Sequence, residues 1–131
     1  MELLTRALRQ ALLANGAHRD GLDRDPVPVV KFFNPCGAAT WLATELDADG
    51  DTLFGLADLG FGCPELGRFS LAELASVRGR FWLGIERDLH FSTGHRLSEW
   101  AEAARRAGSI MAGETLLRRT PTTGLSDPSG D

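Results

Sequence analysis

The sequence predicts an α+β fold: a mostly antiparallel sheet of four to five strands with an N-terminal helix, a short middle helix and a C-terminal helix, the helices largely on one face. Three observations support this. Apolar residues recur at helical spacing near the N-terminus and again near residue 100. Short runs rich in β-forming residues fill the middle of the chain. Brief loops of Asp, Asn, Pro and Gly join these runs, which favours antiparallel neighbours. A chain of 131 residues suits one domain.

The first element is a helix, because Leu4, Leu8 and Leu12 repeat at helical spacing. Thr5 fits its N-cap, and Asn15-Gly16 is expected to end it, since glycine accepts a left-handed backbone. The polar segment "AHRDGLDRDP" (17–26) follows and is predicted to be a loop.

Three strands are predicted next, over "VVKFF" (29–33), "ATWLATEL" (39–46) and "TLFGLADL" (52–59). Residues 34–37 have the composition of a tight turn, and 47–51 form a short Asp/Gly loop typical of a hairpin. A glycine- and proline-broken crossing then leads to a short fourth strand around residues 66–69.

The second half begins with a capping box, Ser70 and Glu73, that predicts a helix over residues 71–77. The run "FWLGIERDLHF" (81–91) predicts a strand, and "LSEWAEAARRAG" (97–108) predicts an amphipathic helix ended by Gly108. These elements make a single α+β domain of residues 1–110. The breaker-rich remainder, 111–131, is predicted to be a disordered tail.

The run 81–91 also contains the main candidate site. Side chains alternate along a strand, so Glu86, Asp88 and His90 would share one face, with Trp82 beside them. Two carboxylates and an imidazole suit a divalent ion that could activate water for hydrolysis. Residues four positions apart on a straight strand lie about 14 Å apart, so a bulge near Asp88 would be needed to gather two ligands.

The same face has two other interpretations. Pairing of its carboxylates with arginines such as Arg68 on a neighbouring strand would need no function to explain it. An exposed tryptophan beside arginine is typical of interaction surfaces. The candidate binding residues are Trp82, Glu86, Asp88, His90, Glu65 and Arg87. Of these, Glu86, Asp88 and His90 are also the catalytic candidates, and Asp88 and His90 the candidate metal ligands.

Three further motifs favour structural roles. The aspartates of residues 47–51 resemble a calcium loop, but the glycine is at the fourth position, so a hairpin turn is favoured. The glycine-rich segment 58–67 lacks the lysine and following helix of a phosphate loop. Two cysteines and two histidines match the number of ligands in a structural zinc site but lack its local spacing; they are Cys36, Cys63, His90 and His95. No cofactor is predicted.

Charge and hydropathy limit the partners. The net charge of −4 argues against a dedicated duplex-DNA binder, whose affinity depends on neutralising phosphates. The chain has no apolar run of the length that spans a bilayer, and its N-terminus lacks a signal-peptide segment. We therefore expect a cytoplasmic protein with reduced cysteines and no membrane partner.

The stretches "PVVKFFNP", "TWLATELD", "FGLADLGFGCPELGRFSLAELASVRG" and "IERDLHF" resemble, in this order, the DUF2958 family of small bacterial proteins of unknown function. The resemblance covers roughly residues 3–110. It implies no reaction. Because members of that family are common in plasmids, integrated conjugative elements and prophages, it implies an accessory role in mobile-element biology.

The sequence favours a binding protein that acts by contact with a partner over an enzyme, and it leaves the enzyme alternative open. The partner is unknown, and a protein is favoured over a nucleic acid. The alternative is a metal-dependent hydrolase or nuclease that uses Asp88 and His90 with Glu86 or Glu65. A third interpretation is a single-strand nucleic-acid binder that uses arginines and Trp82.

Overall fold

The computed structural model describes residues 2–18, 25–78 and 83–119. Its strands form one antiparallel sheet in the order β4-β3-β2-β1-β5, which confirms the predicted α+β fold. Within the described residues, no helix has the length and apolar character to cross a membrane. The elements in chain order are α1 (Arg6–Ala17), β1 (Val30–Phe33), β2 (Thr40–Leu46), β3 (Thr52–Asp58), β4 (Glu65–Ser70), α2 (Leu71–Ser76), β5 (Glu86–Arg87), α3 (Leu97–Ala107) and α4 (Ile110–Leu117).

Helices cover both faces of the sheet, whereas the sequence predicted them largely on one. Side chains alternate along β2: Trp41 and Ala43 belong to the core under α1 and α2, and Leu42 belongs to the core under α3 and α4. All seven residues of β2 are buried. A central strand buried on both sides needs cover on both sides, which is the physical reason for the difference.

Helix α1 begins as predicted, because the Thr5 hydroxyl accepts a hydrogen bond from the Leu8 amide at 3.1 Å. It does not end at Asn15-Gly16 but continues to Ala17. Gly16 is needed for packing instead: a Cβ there would lie 2.4 Å from the carbonyl oxygen of Leu46. The glycine therefore lets α1 lie directly against β2.

The loop between β2 and β3 is a hairpin turn, as predicted in preference to a calcium site. The Asp47 amide donates to the Thr52 carbonyl at 2.8 Å. The Asp49 carboxylate accepts from the amides of Asp51 and Thr52, and from the Thr52 hydroxyl at 2.6 Å. These hydrogen bonds lower the pKa of Asp49 below its ordinary value of 3.8. The bond from the Thr52 hydroxyl has the largest effect, and the bonds from the two amides have smaller ones.

The strand predicted over residues 81–91 is wrong in extent. Within its described residues, 83–91, only Glu86–Arg87 pair with β1, and residues 83–85 and 88–91 are not in a strand. Phe81 and Trp82 lie outside the described residues. The strand stops because the Asp88 carboxylate accepts a hydrogen bond from the His90 amide at 2.9 Å, which turns the chain out of the sheet.

The C-terminal part of the fold contains one helix more than predicted. Gly108, with φ of 91°, ends α3 as expected. Residues 111–117, predicted as part of a disordered tail, belong to α4, which packs against α3. A Cβ on Gly113 would lie 2.8 Å from the Ala104 amide nitrogen, so this glycine permits the close contact of the two helices. The predicted tail beyond residue 119 lies outside the described residues.

Candidate functional site

The site begins with the two faces of β1. Val30 and Phe32 point into the core under α1, so Lys31 and Phe33 point to the side that holds α3 and α4. In the register of β5 on β1, Glu86 lies opposite Phe33 and Arg87 opposite Phe32. Because directly opposed residues share a face, Glu86 lies on the same side of the sheet as Lys31.

The turn after β5 brings the predicted polar residues together. The Asp88 amide still pairs with the Lys31 carbonyl at 2.9 Å, and the Phe91 amide donates to the Asp88 carbonyl at 3.3 Å. This turn supplies the bend that a straight strand would have lacked. As a result, Glu86, Asp88 and His90 all line one groove.

This groove, which we call the β1–β5 groove, is open to solvent and has a volume of about 430 Å³. Its floor comes from β1, one wall from the turn after β5 and another from the turn between β1 and β2. Helix α4 contributes Met111, which is 66 % exposed, and the turn after β5 contributes Leu89, which is 63 % exposed. The full lining is Lys31, Phe33, Asn34, Gly37, Ala39, Thr40, Glu86, Arg87, Asp88, Leu89, His90 and Met111.

Most of the charged side chains in and beside the groove are paired with one another. The Lys31 side chain is 15 % exposed, and its Nζ lies 3.8 Å from both Asp88 Oδ2 and Glu114 Oε1. Glu114 also pairs with Arg118 at 3.4 Å, although Arg118 is largely exposed. In the part of the chain that the structure describes, the half-buried Glu86 carboxylate has no hydrogen-bond or ion-pair partner.

Arg87 contributes to the lining but not its charge. Its Nη1 donates to the carbonyl oxygens of Glu2 at 2.9 Å and Leu3 at 3.0 Å, on the α1 side of the sheet. The guanidinium therefore ties the segment before α1 to β5. Its role in binding stays a prediction.

Two other residues named from the sequence lie far from the groove. Glu65 and Arg68 are on β4, at the opposite edge of the sheet from β5. Four strand spacings separate these edges, about 19 Å. Arg68 lies over the Phe54 ring, 5.8 Å from its centroid, and not beside Asp88. Glu65 therefore cannot share a site with Glu86. Trp82 lies outside the described residues.

The described residues provide no group of three or more His, Cys, Asp or Glu side chains that could hold a metal ion. Cys36 and Cys63 are exposed thiols. His95 is buried, and its Nδ1 lies 3.5 Å from Glu99 Oε2. The residues of the weak zinc pattern therefore do not converge.

Among the groove residues that the sequence analysis did not name, two matter most for its chemistry. Lys31 was not singled out within the predicted strand 29–33, and Met111 was assigned to a disordered tail. The signal for Lys31 was available, because it is the only lysine in the chain and it interrupts "VVKFF". The signal for Met111 was not local, since its place in the groove depends on the packing of α4.

The DUF2958 family model, described as a protein of unknown function, matches residues 3–111. The match includes every described residue that lines the β1–β5 groove. Neither the curated proteins nor the solved structures gave a match.

Proposed function

This chain belongs to the DUF2958 family, proteins of unknown function, and we propose that it is a binding protein whose β1–β5 groove takes a basic and apolar segment of a protein partner. The observation that carries the proposal is the convergence of Glu86, Asp88 and His90 on one groove with exposed apolar side chains at its rim. The hydrogen bonds of the fold do not use the Glu86 carboxylate or the His90 ring among the described residues.

The charges favour a basic occupant. Asp88 and Glu114 each lie 3.8 Å from the Lys31 ammonium, and Glu114 also pairs with Arg118. These two cations offset two carboxylates, and the Arg87 guanidinium is directed to the other side of the sheet, so the Glu86 carboxylate is the charge left over in the groove. An arginine or lysine side chain of a partner would supply the missing positive charge, and complementary potentials speed encounter and fix register. A phosphate backbone would be repelled, which favours a protein over a nucleic acid.

The apolar residues favour a peptide over a small ion. Leu89 and Met111 are both more than half exposed on the rim, and Phe33 lines the floor. Methionine is flexible and adapts to varied apolar surfaces, which suits contact with a peptide side chain. Two expectations from the sequence belong to this proposal unchanged: a cytoplasmic location, and an accessory role in mobile-element biology that rests on the family resemblance alone.

The alternative, a metal-dependent hydrolase, has less support. Asp88 and His90 do line the groove, but the Asp88 carboxylate already accepts the His90 amide and lies 3.8 Å from the Lys31 ammonium. A cation beside a carboxylate competes with a metal ion for it. The metal reaction therefore stays a prediction, with no specific contact in its favour.

A binding assay with two defined peptides tests the proposal. We would label a short peptide of alternating arginine and leucine, and a matched one of alternating glutamate and leucine, and follow fluorescence anisotropy. The basic peptide should bind and the acidic one should not. Glu86→Lys should weaken the basic peptide about tenfold or more, which corresponds to about 1.4 kcal/mol.

The matched control is Glu102→Lys on the exposed face of α3, outside the groove. It changes the net charge by the same amount, so any general loss of electrostatic attraction would appear in both variants. Equal weakening by the two substitutions, or equal binding of the two peptides, would contradict the proposed site.

A further inference from the structure

Strand β4 is at the open edge of the sheet, far from the β1–β5 groove. It pairs with β3 over six consecutive residue pairs, from Ala57 with Glu65 to Thr52 with Ser70, without a bulge. Among the described residues no strand pairs with its outer side. An edge strand of this kind presents main-chain donors and acceptors to solvent.

The ladder shows which residues of β4 present these groups. The Leu71 amide donates to the Asp51 carbonyl at 2.9 Å, in the same register as the pairs within the strand. In an antiparallel ladder, hydrogen-bonded pairs alternate with non-bonded pairs. Residues 65, 67 and 69 therefore bond to β3, whereas the N–H and C=O groups of Leu66 and Arg68 point away from it.

This edge has few of the devices that usually block strand addition, since its charged side chains are Glu65 at the start of the strand and Arg68. It has no lysine and no bulge, and Pro64 precedes the strand instead of interrupting it. The Arg68 guanidinium lies over the Phe54 ring, 5.8 Å from its centroid, and so is drawn onto the face of the sheet. Leu66 is 41 % exposed on that same face.

The side chains around the edge indicate the chemistry of an occupant. Arg68 is exposed, and exposed Arg105 of α3 lines a groove of about 420 Å³ with Pro64 and Leu66. Glu65 also lines this groove, but alternation directs it to the other face of the strand from Leu66 and Arg68. The α3 side of the edge thus combines two guanidinium groups with an exposed leucine.

We infer that the edge of β4 is a second binding site, which takes an extended acidic and apolar segment of another protein as a sixth strand. Its main chain pairs with the outward groups of Leu66 and Arg68, a recognised mode of peptide binding. Its acidic side chains face Arg68 and Arg105, and its apolar side chains pack beside Phe69 on the other face. This site differs from the β1–β5 groove in both mode of contact and sign of charge.

The test uses ¹⁵N-labelled protein and a short peptide of alternating valine and glutamate. Binding should shift the amide signals of Leu66 and Arg68 and slow their hydrogen exchange. A matched peptide of alternating valine and lysine should bind at least about tenfold more weakly. Glu86→Lys should leave the valine–glutamate affinity unchanged, which separates this site from the proposed groove.

Two substitutions at one position isolate the main-chain contact. Leu66→Pro removes an outward N–H that the β3 ladder does not use, so the fold should persist and binding should be lost. Leu66→Ala keeps the N–H and should retain most of the affinity. If Leu66→Pro does not fold, Arg68→Glu with Arg105→Glu supplies the test, because it should reverse the preference between the two peptides.

Three results would overturn the inference. The first is slow exchange of the Leu66 and Arg68 amides in the free protein, as slow as that of Gly67, which would mean that the edge is already paired. The second is equal binding, or no binding, of the two peptides. The third is a concentration-dependent dimer in sedimentation that Leu66→Pro abolishes, which would make a second copy of the chain the occupant.

Discussion

Asp58 joins the sheet to the helix that forms part of the groove, and its removal is a sensitive test of the fold. The side chain is 1 % exposed at the end of β3. Its Oδ2 accepts the amide of Ile110, the first residue of α4, at 2.8 Å, and its Oδ1 accepts the Gly60 amide at 2.9 Å. A carboxylate at a helix N-terminus also interacts favourably with the helix dipole.

The expected cost follows from these two bonds. Asp58→Ala leaves the buried Ile110 amide without its acceptor, which costs about 1–3 kcal/mol, and removes the hydrogen bond from exposed Gly60, which contributes about 0.5–1.5 kcal/mol. Removal of a buried charge returns part of this, so we expect a loss of about 2–4 kcal/mol. Asp58→Asn retains one acceptor oxygen and should lose about 1–2 kcal/mol. Small domains are stable by about 5–15 kcal/mol, so either loss is measurable.

Urea denaturation followed by circular dichroism measures both variants. The midpoint should fall in the order wild type, Asp58→Asn, Asp58→Ala, with an unchanged slope if folding stays two-state. Glu102→Ala, on the exposed face of α3, serves as the control, and its free energy of unfolding should remain within about 0.5 kcal/mol of the wild-type value. An Asp58→Ala protein as stable as the control would refute the role assigned to this carboxylate.

Three other predictions concern packing, titration and metal binding. Gly113→Ala should destabilise the protein by about 1–3 kcal/mol in thermal unfolding, because the added Cβ meets the backbone of Ala104; an unchanged melting temperature would contradict the close contact of α3 and α4. Thr52→Val should raise the pKa of Asp49 toward its ordinary value of 3.8 in an NMR titration, since the lost hydroxyl is the main cause of the lowering; an unmoved pKa would assign the effect to the amides. Calorimetric titration with Mn²⁺ or Zn²⁺ near neutral pH should show no binding, whereas binding lost in His90→Ala would favour the hydrolase.

Much of the fold could be predicted because its signals are local. Strands β1 to β3 follow short apolar runs closed by turn residues, and their observed bounds differ from the predicted ones by a residue at most. The Ser70 hydroxyl accepts the Glu73 amide at 3.1 Å, as the capping pattern predicted. Gly108 ends α3 in the left-handed conformation. Each of these features depends on a few neighbouring residues.

Several of the errors arose where distant contacts decide. Helix α4 is short, and besides its local N-cap, Ser109, it is supported by Asp58, 52 positions earlier in the chain. Gly16 was expected to end α1, and Gly113 lay in the predicted tail, yet both glycines permit close packing. The distribution of helices over the two faces likewise depends on tertiary packing, which no local pattern encodes.

The sequence predicted three of the residues at the candidate site but not the geometry that brings them together. Period-two alternation grouped Glu86, Asp88 and His90, and the structure does bring them to one groove. The cause is different: Asp88 hydrogen-bonds the His90 amide and ends the strand after two residues. The aspartate side chain competes with the hydrogen bonds of the ladder and so favours a turn. The β-forming residues over 81–91 indicated a continuous strand and concealed this turn.

The most direct test of the groove as a contact site is to map where the arginine–leucine peptide binds on the ¹⁵N-labelled protein. We predict that shifted amide signals cluster on Lys31, residues 86–90 and Met111, and that the β4 amides do not move. Shifts confined to other surfaces, or an unchanged spectrum at saturating peptide, would contradict the account.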